Sequence, residues 1–256
     1  MKVSLVQVAS SGDKQNNFNK AREYILEAVD QKADIICLPE NFLFSDAKKA
    51  EKLSSKYIVD FQNLAKENKI NLILGSIIIN DGNEKHSNTS LVIDRKGDII
   101  FRYDKNYLYD VEREDVTYRE SDEITPGDKI GLCKLEDVWI GIGICVDLRY
   151  PEYFRELMKN GAEIIFLPSS FRKITGQLAW DVLTKARAIE NQVYFCACGQ
   201  TGGSGNKERC GHSRIISFDG NIISEIEEKE GVISADLNLD KLHDFRKEFP
   251  VLKQIK

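Results

Sequence analysis

Short apolar stretches alternate with amphipathic segments along the first half of the chain. An apolar stretch at 3–9 is followed by a segment, 16–31, whose apolar residues recur at the spacing of a helix face, and then by another apolar stretch at 34–38. The alternation continues to residue 103. It predicts strands at 3–9, 34–38, 71–79, 87–94 and 98–103, with helices at 16–31 and 47–68.

The second half of the chain repeats this alternation. Gly97 and Gly220 lie between adjacent apolar stretches, where glycine can take the positive φ of a tight hairpin turn. The pattern predicts strands near 130–135, 138–144, 163–168, 192–199, 213–218, 221–226 and 231–236, with helices at 151–160, 177–190 and 238–246. Two strand-rich halves with helices between them predict an α/β fold, in which helices cover the outer faces of two mixed sheets.

Length, composition and charge describe one globular domain, which we expect to span residues 1–256. The chain has 42% hydrophobic residues and no Pro/Gly/Ser-rich linker divides it. Its net charge is −5 and it lacks the concentrated basic patch of nucleic-acid-binding proteins. Since no apolar stretch reaches the roughly 18 residues of a membrane span, we expect no membrane insertion.

The cysteines and the first residues of the chain favour a cytoplasmic protein. Four of the six cysteines lie in apolar, strand-like contexts, namely Cys37, Cys133, Cys196 and Cys198. Such contexts suit reduced thiols in the cytosol. The opening KVSLVQVA is interpreted as a first strand rather than a signal peptide, because its apolar part is short and no convincing cleavage pattern follows.

A zinc site is the alternative use of some of these thiols. Cys196, Cys198, Cys210 and His212 could be grouped as four ligands. Structural zinc sites usually have wider Cys-x-x-Cys spacing, and the residues around Cys196 have the pattern of a buried strand. We therefore expect neither a metal nor a cofactor.

Cys145 stands where an apolar stretch, 138–144, gives way to a polar turn. Pro151 follows, and proline is favoured in the first turn of a helix. A thiol at this junction can lie near free backbone N–H groups, which favour the thiolate and can hold an oxyanion. A buried structural cysteine is the alternative, because free cysteine is among the most buried residue types.

Glu40 and Lys105 each follow a predicted strand. Pro39 ends the stretch 34–38 and Glu40 comes next, while Lys105 comes just after the strand at 98–103. Ligands of open α/β sheets bind at the carboxyl edge of the strands. Either residue alone would be interpreted as a solvated charge, but together with Cys145 they form a candidate catalytic set.

The segments around these residues resemble the motifs of the carbon–nitrogen hydrolase (nitrilase) superfamily. The motifs occur in order as PEN at 39–41, YDK at 103–105 and CVDLRYPE at 145–152. Further matches are the segments NTS at 88–90, RES at 119–121, TPGD at 125–128, KARAIENQVY at 185–194 and GHS at 211–213. The resemblance runs from Val3 to about Leu252 and therefore covers nearly the whole chain.

This resemblance implies a catalytic Glu-Lys-Cys triad. The triad maps onto Glu40, Lys105 and Cys145, and Glu120 matches the second glutamate of the family. The Lys105 ammonium and the Val146 N–H are the candidates for the oxyanion hole. The resemblance also implies a four-layer αββα sandwich, usually paired with a second subunit, so that a homodimer or higher homo-oligomer is expected.

The triad needs a proton to move from the thiol to the carboxylate. A free cysteine titrates near 8.5 and a free glutamate near 4.3, so this transfer costs roughly 6 kcal/mol in water. Burial raises the pKa of a glutamate and a neighbouring ammonium lowers that of a thiol. We therefore expect a dry pocket to narrow the pKa gap between Glu40 and Cys145.

The expected activity is hydrolysis of a small linear amide by water, with release of ammonia. The motifs most resemble the amidase branch that includes omega-amidase and deaminated-glutathione amidase. Arg172 follows a buried strand and could clamp a substrate carboxylate, although a solvated loop arginine is equally compatible with the sequence.

Two other functions stay open, namely a nitrilase and a non-catalytic binding or scaffold protein with the same fold. Tyr107 and Ala179 stand where family members commonly carry histidine, which leaves the substrate itself open.

Overall fold

A computed structural model describes residues 1–114 and 116–255, over which the chain forms fourteen strands and five α-helices. The strands are β1 (Lys2–Gln7), β2 (Ile35–Cys37), β3 (Asn71–Ile79), β4 (Ser87–Ile93), β5 (Ile99–Asp104), β6 (Asp110–Arg113), β7 (Val116–Arg119), β8 (Leu132–Leu135), β9 (Val138–Ile142), β10 (Ile164–Ser169), β11 (Tyr194–Gly199), β12 (Arg214–Ile216), β13 (Ile222–Glu225) and β14 (Gly231–Asp236). The helices are α1 (Lys14–Asp30), α2 (Lys56–Asn68), α3 (Pro151–Lys159), α4 (Lys173–Asn191) and α5 (Leu239–Glu248).

Twelve of these strands form two mixed sheets of six. The first sheet has the order β14-β1-β2-β3-β4-β5, and the second has the order β13-β12-β11-β10-β9-β8. Three central strands of each sheet are parallel, β1 to β3 in the first and β9 to β11 in the second, and antiparallel strands flank them. The two halves of the chain therefore build similar sheets.

The sheets pack face to face, with helices on their outer surfaces. The alternation of side chains along a strand is visible in β2, where Ile35 and Cys37 join a core shared with the second sheet. Ile36 and Leu38 point the other way and pack with residues of α1 and α2. Residues of α3 and α4 pack against the second sheet, which completes the predicted αββα sandwich.

The carboxyl ends of several strands from both sheets meet at one edge. β5 runs in the same direction as β2 and β3, because two antiparallel pairings separate it from β3. The parallel strands of the second sheet bring the residues after β9, β10 and β11 to the same region. This edge carries the residues that the sequence predicts as the site.

Two segments differ from the prediction. The helix expected at 47–68 is an α-helix only over Lys56–Asn68, because the Glu51 backbone pairs with Ile78 and Asn80 and holds the preceding segment away from helical geometry. The hairpin of β6 and β7 was not predicted, since its short strands are mostly exposed and lack an apolar alternation. Within the described residues, no helix combines the length and apolar character needed to cross a bilayer.

Candidate active site

A cavity of about 400 Å³ opens at the edge where the two sheets meet. Its walls include every residue that the sequence places at the site, namely Glu40, Lys105, Glu120, Cys145, Val146 and Arg172. These residues come from five separate segments of the chain. The fold therefore brings the predicted set together, although its members are far apart in sequence.

Glu40 is fixed by backbone contacts on both sides. It forms a parallel bridge with Ser76 of β3, and its own carbonyl accepts a hydrogen bond from Gln200 Nε2 at 2.7 Å. Gln200 follows β11 of the second sheet, so that this bond ties the two sheets together at the cavity. The Glu40 side chain is only slightly exposed and faces Lys105.

Lys105 lies between two carboxylates. Its Nζ is 2.8 Å from Glu40 Oε1 and 2.8 Å from Glu120 Oε2. Asn88 Nδ2 donates to both carboxylates, at 3.1 Å to Glu40 and 2.9 Å to Glu120. We call these four buried residues, Glu40, Asn88, Lys105 and Glu120, the inner cluster. Its formal charge is −1, so that the ammonium is held by more negative charge than it carries.

Glu120 has a third donor in the backbone. The N–H of Tyr109 binds Glu120 Oε2 at 2.7 Å, and the carboxylate belongs to a short 3-10 helix that follows β7. Three donor atoms therefore hold this carboxylate through four hydrogen bonds, and the residue is only 5% exposed. The arrangement orients Lys105 toward Glu40.

Cys145 occupies a left-handed backbone conformation, with φ of 51°. It follows β9 and begins a 3-10 helix over Cys145–Arg149, and such a conformation is uncommon for a residue other than glycine. The Val146 N–H lies in the first turn of this helix, where N–H groups have no carbonyl of their own helix to bind. The strained turn thus presents the thiol and a backbone donor to one cavity.

Asp147 holds this turn against the strand that precedes Lys105. Its carboxylate accepts hydrogen bonds from Ile144 N at 2.7 Å, from the Tyr103 hydroxyl at 2.8 Å and from Tyr107 N at 3.1 Å. The neighbouring Arg149 does not pair with this carboxylate. The Arg149 guanidinium instead donates to the Thr175 carbonyl and lies over the Phe171 ring.

The pKa of the Cys145 thiol is raised and that of the Glu40 carboxyl group is lowered, relative to their usual values. Burial raises the pKa of the Cys145 thiol well above its usual value, and the Glu40 carboxylate beside it adds to this shift while Lys105 opposes it. Burial alone would raise the pKa of Glu40, but Lys105, the Cys145 thiol and Asn88 hold it below its usual value. The resting site therefore contains a thiol and a carboxylate.

The expected narrowing of this pKa gap is thus wrong, and the position of Lys105 explains why. The ammonium contacts Glu40 and Glu120 directly, so that it stabilises a carboxylate more strongly than it stabilises a thiolate. The two carboxylates in turn overcome the effect of burial and raise the pKa of Lys105 well above its usual value.

Four further cations line the outer part of the cavity. They are Arg149, Arg172, Lys207 and Arg209, which we call the cationic rim. Arg172 lies over the Tyr118 ring, with its guanidinium carbon 5.2 Å from the ring centroid. Among residues 1–114 and 116–255, no carboxylate forms an ion pair with any of the four.

Sequence reasoning missed Arg209 and the partners of the inner cluster. Arg209 lies in a loop after β11 and carries no periodicity or motif that would single it out. Asn88 belongs to a segment that the resemblance includes, but nothing in the sequence shows that its amide binds two carboxylates.

Tyr107 and Ala179, which stand where family members commonly carry histidine, have different surroundings in the structure. Tyr107 stacks on Tyr150 with ring centroids 3.6 Å apart, while Ala179 packs at the margin of the core.

Over the described residues, no three His, Cys, Asp or Glu side chains form a group that could hold a metal ion. Cys198, one of the grouped thiols, donates to the carbonyls of Val6 and Cys37.

Comparison with known proteins decides the family. Residues 2–247 match the sequence profile described as carbon-nitrogen hydrolase. The chain belongs to the carbon–nitrogen hydrolase family. This carbon–nitrogen hydrolase is 36% identical to deaminated glutathione amidase of Dictyostelium discoideum, over 100% of this chain and 94% of that one. It is 33% identical to omega-amidase NIT2 of Xenopus tropicalis, over 99% and 94% of the two chains.

A solved structure supports the same assignment. Nit3 of Saccharomyces cerevisiae, described as a member of branch 10 of the nitrilase superfamily, is 30% identical and superposes with a TM-score of 0.89. The alignment covers 99% of this chain and 96% of Nit3. The predicted family, the αββα fold and the class of reaction, hydrolysis of a C–N bond in an amide, are confirmed.

Proposed function

We propose that this carbon–nitrogen hydrolase cleaves a small linear amide through a thioester on Cys145. The observation that carries the proposal is the placement of Cys145, on a strained turn, against a buried Glu40–Lys105–Glu120 cluster in one cavity. A buried lysine with two carboxylates is costly to assemble, and perturbed titratable groups in a cleft are typical of functional sites.

In the first step Cys145 Sγ attacks the amide carbon while Glu40 accepts the thiol proton. Because the resting pair is thiol and carboxylate, the proton moves as the S–C bond forms, and no stable thiolate precedes attack. Lys105 and the Val146 N–H face the oxygen that becomes negative. Glu40 then gives its proton to the leaving nitrogen, the C–N bond breaks and ammonia departs.

In the second step water hydrolyses the thioester. The oxygen of the water molecule bonds to the acyl carbon while Glu40 accepts a proton from that water. The S–C bond then breaks, the sulfur recovers the proton and the carboxylic acid leaves. Glu120 serves both steps by holding Lys105 in place. The chain's own side chains therefore balance every proton, and the proposal needs no cofactor.

The substrate is proposed to carry a carboxylate remote from the scissile amide. The cationic rim supports this proposal, because it surrounds the inner cluster with charges that have no internal carboxylate partners among the described residues. Arg172 lies at this rim and suits a bidentate contact. Two relatives with amidase names, a deaminated glutathione amidase and an omega-amidase, support the same branch of the family.

The experiment that tests the function is an ammonia-release assay with a panel of amides and nitriles. We expect release from short amides that end in a carboxylate, such as succinamate, and an acyl adduct on Cys145 in the mass spectrum. Faster release from nitriles would support the nitrilase alternative. Absence of both adduct and ammonia across the panel would support the non-catalytic alternative.

We also propose that the chain is one domain that works in the cytoplasm as a homodimer. The outer face of α4 supports the dimer, because Ile174, Leu178, Val182 and Ile189 are exposed on one side of it. Val182 is near the middle of α4, so that a two-fold axis there would pair the stripe with its own copy. Light scattering of Leu178→Glu tests this: a dimer should become a monomer, and an unchanged mass would place the contact elsewhere.

A further inference from the structure

The cavity divides into an inner part with excess negative charge and an outer part with excess positive charge. The inner cluster has two carboxylates and one ammonium, whereas the cationic rim has four cations. The whole chain has a net charge of −5, so the rim does not reflect the general charge of the protein. A cation that needed only solvation would be expected on the outer surface.

Arg209 is the unusual member of the rim. Arg149 and Lys207 are exposed, whereas Arg209 and Arg172 are half-buried. Burial lowers the pKa of its guanidinium, a shift that Glu40 opposes and Arg172 increases. Its charge is therefore felt at the inner cluster, and the guanidinium has lost water without gaining a carboxylate among the described residues.

Backbone contacts fix Arg209 beside Arg172. The two residues form an antiparallel bridge, Arg209 N donates to the Gly202 carbonyl at 2.8 Å, and Cys210 N donates to the Phe171 carbonyl at 2.9 Å. Arg172 is held over Tyr118. Two guanidinium groups are thus kept adjacent at a cost in mutual repulsion, and a bound anion would relieve that cost.

We propose that Arg209 and Arg172 form a two-guanidinium site for the remote carboxylate of the substrate, with Arg209 as the main specificity-determining residue. The inference rests on the proposed function for the position of the amide at Cys145. Both arginines line the cavity and are half-buried, and Arg209 interacts electrostatically with Glu40 and Cys145, so that it holds the carboxylate on the side of the reacting end. Arg172 completes the site from the side of Tyr118.

Kinetics with a matched pair of amides test the proposal. Succinamate carries the carboxylate, and butyramide has a similar length without it. Arg209→Met should lower the ratio of kcat/KM for succinamate to that for butyramide by roughly 10- to 100-fold, mainly through KM. Arg172→Met should lower the same ratio by a smaller factor. Arg209→Lys should fall between wild type and Arg209→Met, because it keeps the charge and loses the planar fork.

Lys66→Met is the charge-matched control. It removes one positive charge from an exposed side chain on α2, outside the cavity, so we expect the ratio to change by less than about threefold. An equal fall in the ratio for Lys66→Met and Arg209→Met would overturn the proposal in favour of a general effect of net charge. Equal losses on succinamate and butyramide in Arg209→Met would overturn it as well.

Binding measured without turnover separates this inference from the proposed function. In a Cys145→Ala background, calorimetry should detect succinamate, and adding Arg209→Met should weaken its binding by roughly tenfold or more. If no amide is hydrolysed by the wild type but this loss of binding occurs, the carboxylate site stands and the proposed reaction fails. If hydrolysis occurs and binding does not depend on Arg209, the reaction stands and the inference fails.

Discussion

The charged residues of the inner cluster and those of the cationic rim line the same cavity, but their charges are compensated in opposite ways. In the inner cluster Lys105 is within 3.0 Å of oxygens from both carboxylates, and all four side chains are buried. In the rim, no cation has a carboxylate partner among the described residues. Charges that neutralise one another fix a geometry, whereas charges without partners are available to a ligand.

The difference assigns chemistry and recognition to separate residues. The inner cluster is rigid because every acceptor of Glu120 has a donor, and its net charge of −1 disfavours an anion close to Glu40. The rim favours an anion a short way outward. A substrate with a neutral amide at one end and a carboxylate at the other fits this polarity in one orientation only.

The largest expected effect is loss of the nucleophile at the inner cluster. Cys145→Ala should lower kcat by roughly 10⁴-fold or more and retain the fold, because no other described thiol lines the cavity. Ammonia release and circular dichroism measure the two properties. Cys133→Ala removes a buried thiol from β8 and should keep full activity. Turnover by a folded Cys145→Ala protein would contradict the mechanism.

The second effect separates the two contributions of Lys105. Lys105→Met should lower kcat by roughly 10²- to 10³-fold through the loss of an oxyanion donor. It should also reduce the free energy of unfolding by about 3–5 kcal/mol, because two buried carboxylates lose their counter-charge. Denaturant unfolding and ammonia release measure these losses independently.

The double variant Lys105→Met/Glu120→Gln serves as the control for that assignment. Removal of one carboxylate lessens the uncompensated charge, so we expect part of the stability to return while activity stays low. Recovery of activity together with stability would show that Lys105 acts only through folding.

The pH profile tests whether the inner cluster holds a thiol and a carboxylate at rest. The pKa of Glu40 is held below its usual 4.5 and that of Cys145 is raised well above 9.0. The kcat/KM for butyramide should therefore be flat near neutrality, falling about tenfold per pH unit only below pH 4.5 on the acid side. Butyramide avoids titration of a substrate carboxylate. A limb between pH 6 and 8 would indicate a thiolate formed before attack.

Much of the inner cluster could be predicted because its residues end strands and carry family motifs. Glu40, Lys105 and Cys145 each follow a strand whose apolar pattern is plain in the sequence, and the parallel strands bring them to one edge. The helix-strand alternation similarly predicted most elements of both sheets. Local patterns suffice where burial on both faces of a sheet dictates the residue types.

The cationic rim and the pKa shifts of Glu40 and Cys145 could not be predicted from the sequence. Both depend on distances between segments that are far apart along the chain, and local sequence patterns do not give those distances. Arg209 reaches the cavity through a loop whose course is set by bonds to Gly202 and Phe171. The pKa values of Glu40 and Cys145 lie further apart than those of the free side chains, because the Lys105 ammonium contacts two carboxylates. A sequence pattern cannot show whether a lysine contacts a carboxylate or the cysteine sulfur. The prediction of a helix over 47–68 was wrong in its first part for a related reason, because the backbone of Glu51 forms a bridge with Ile79 of β3.

The smallest expected effect concerns Asp147, which links the turn of Cys145 to the strand before Lys105. Burial raises the pKa of Asp147 from 3.8 to about 6, although the donors Ile144 N and Tyr103 oppose the shift. A carboxyl group whose folded pKa is raised stabilises the fold when protonated. This contribution is fully present below about pH 4 and is lost as the pH rises through 6.

Asp147→Asn removes this titration, so the stability difference between wild type and variant should depend on pH. From pH 5 to pH 7 wild type should lose about 1 kcal/mol of unfolding free energy relative to the variant. The variant should be less stable at both values, because an amide cannot accept all three hydrogen bonds. Urea unfolding at the two pH values measures the difference. A constant difference would mean that Asp147 titrates at its ordinary pKa, and the turn of Cys145 would then be held by geometry alone.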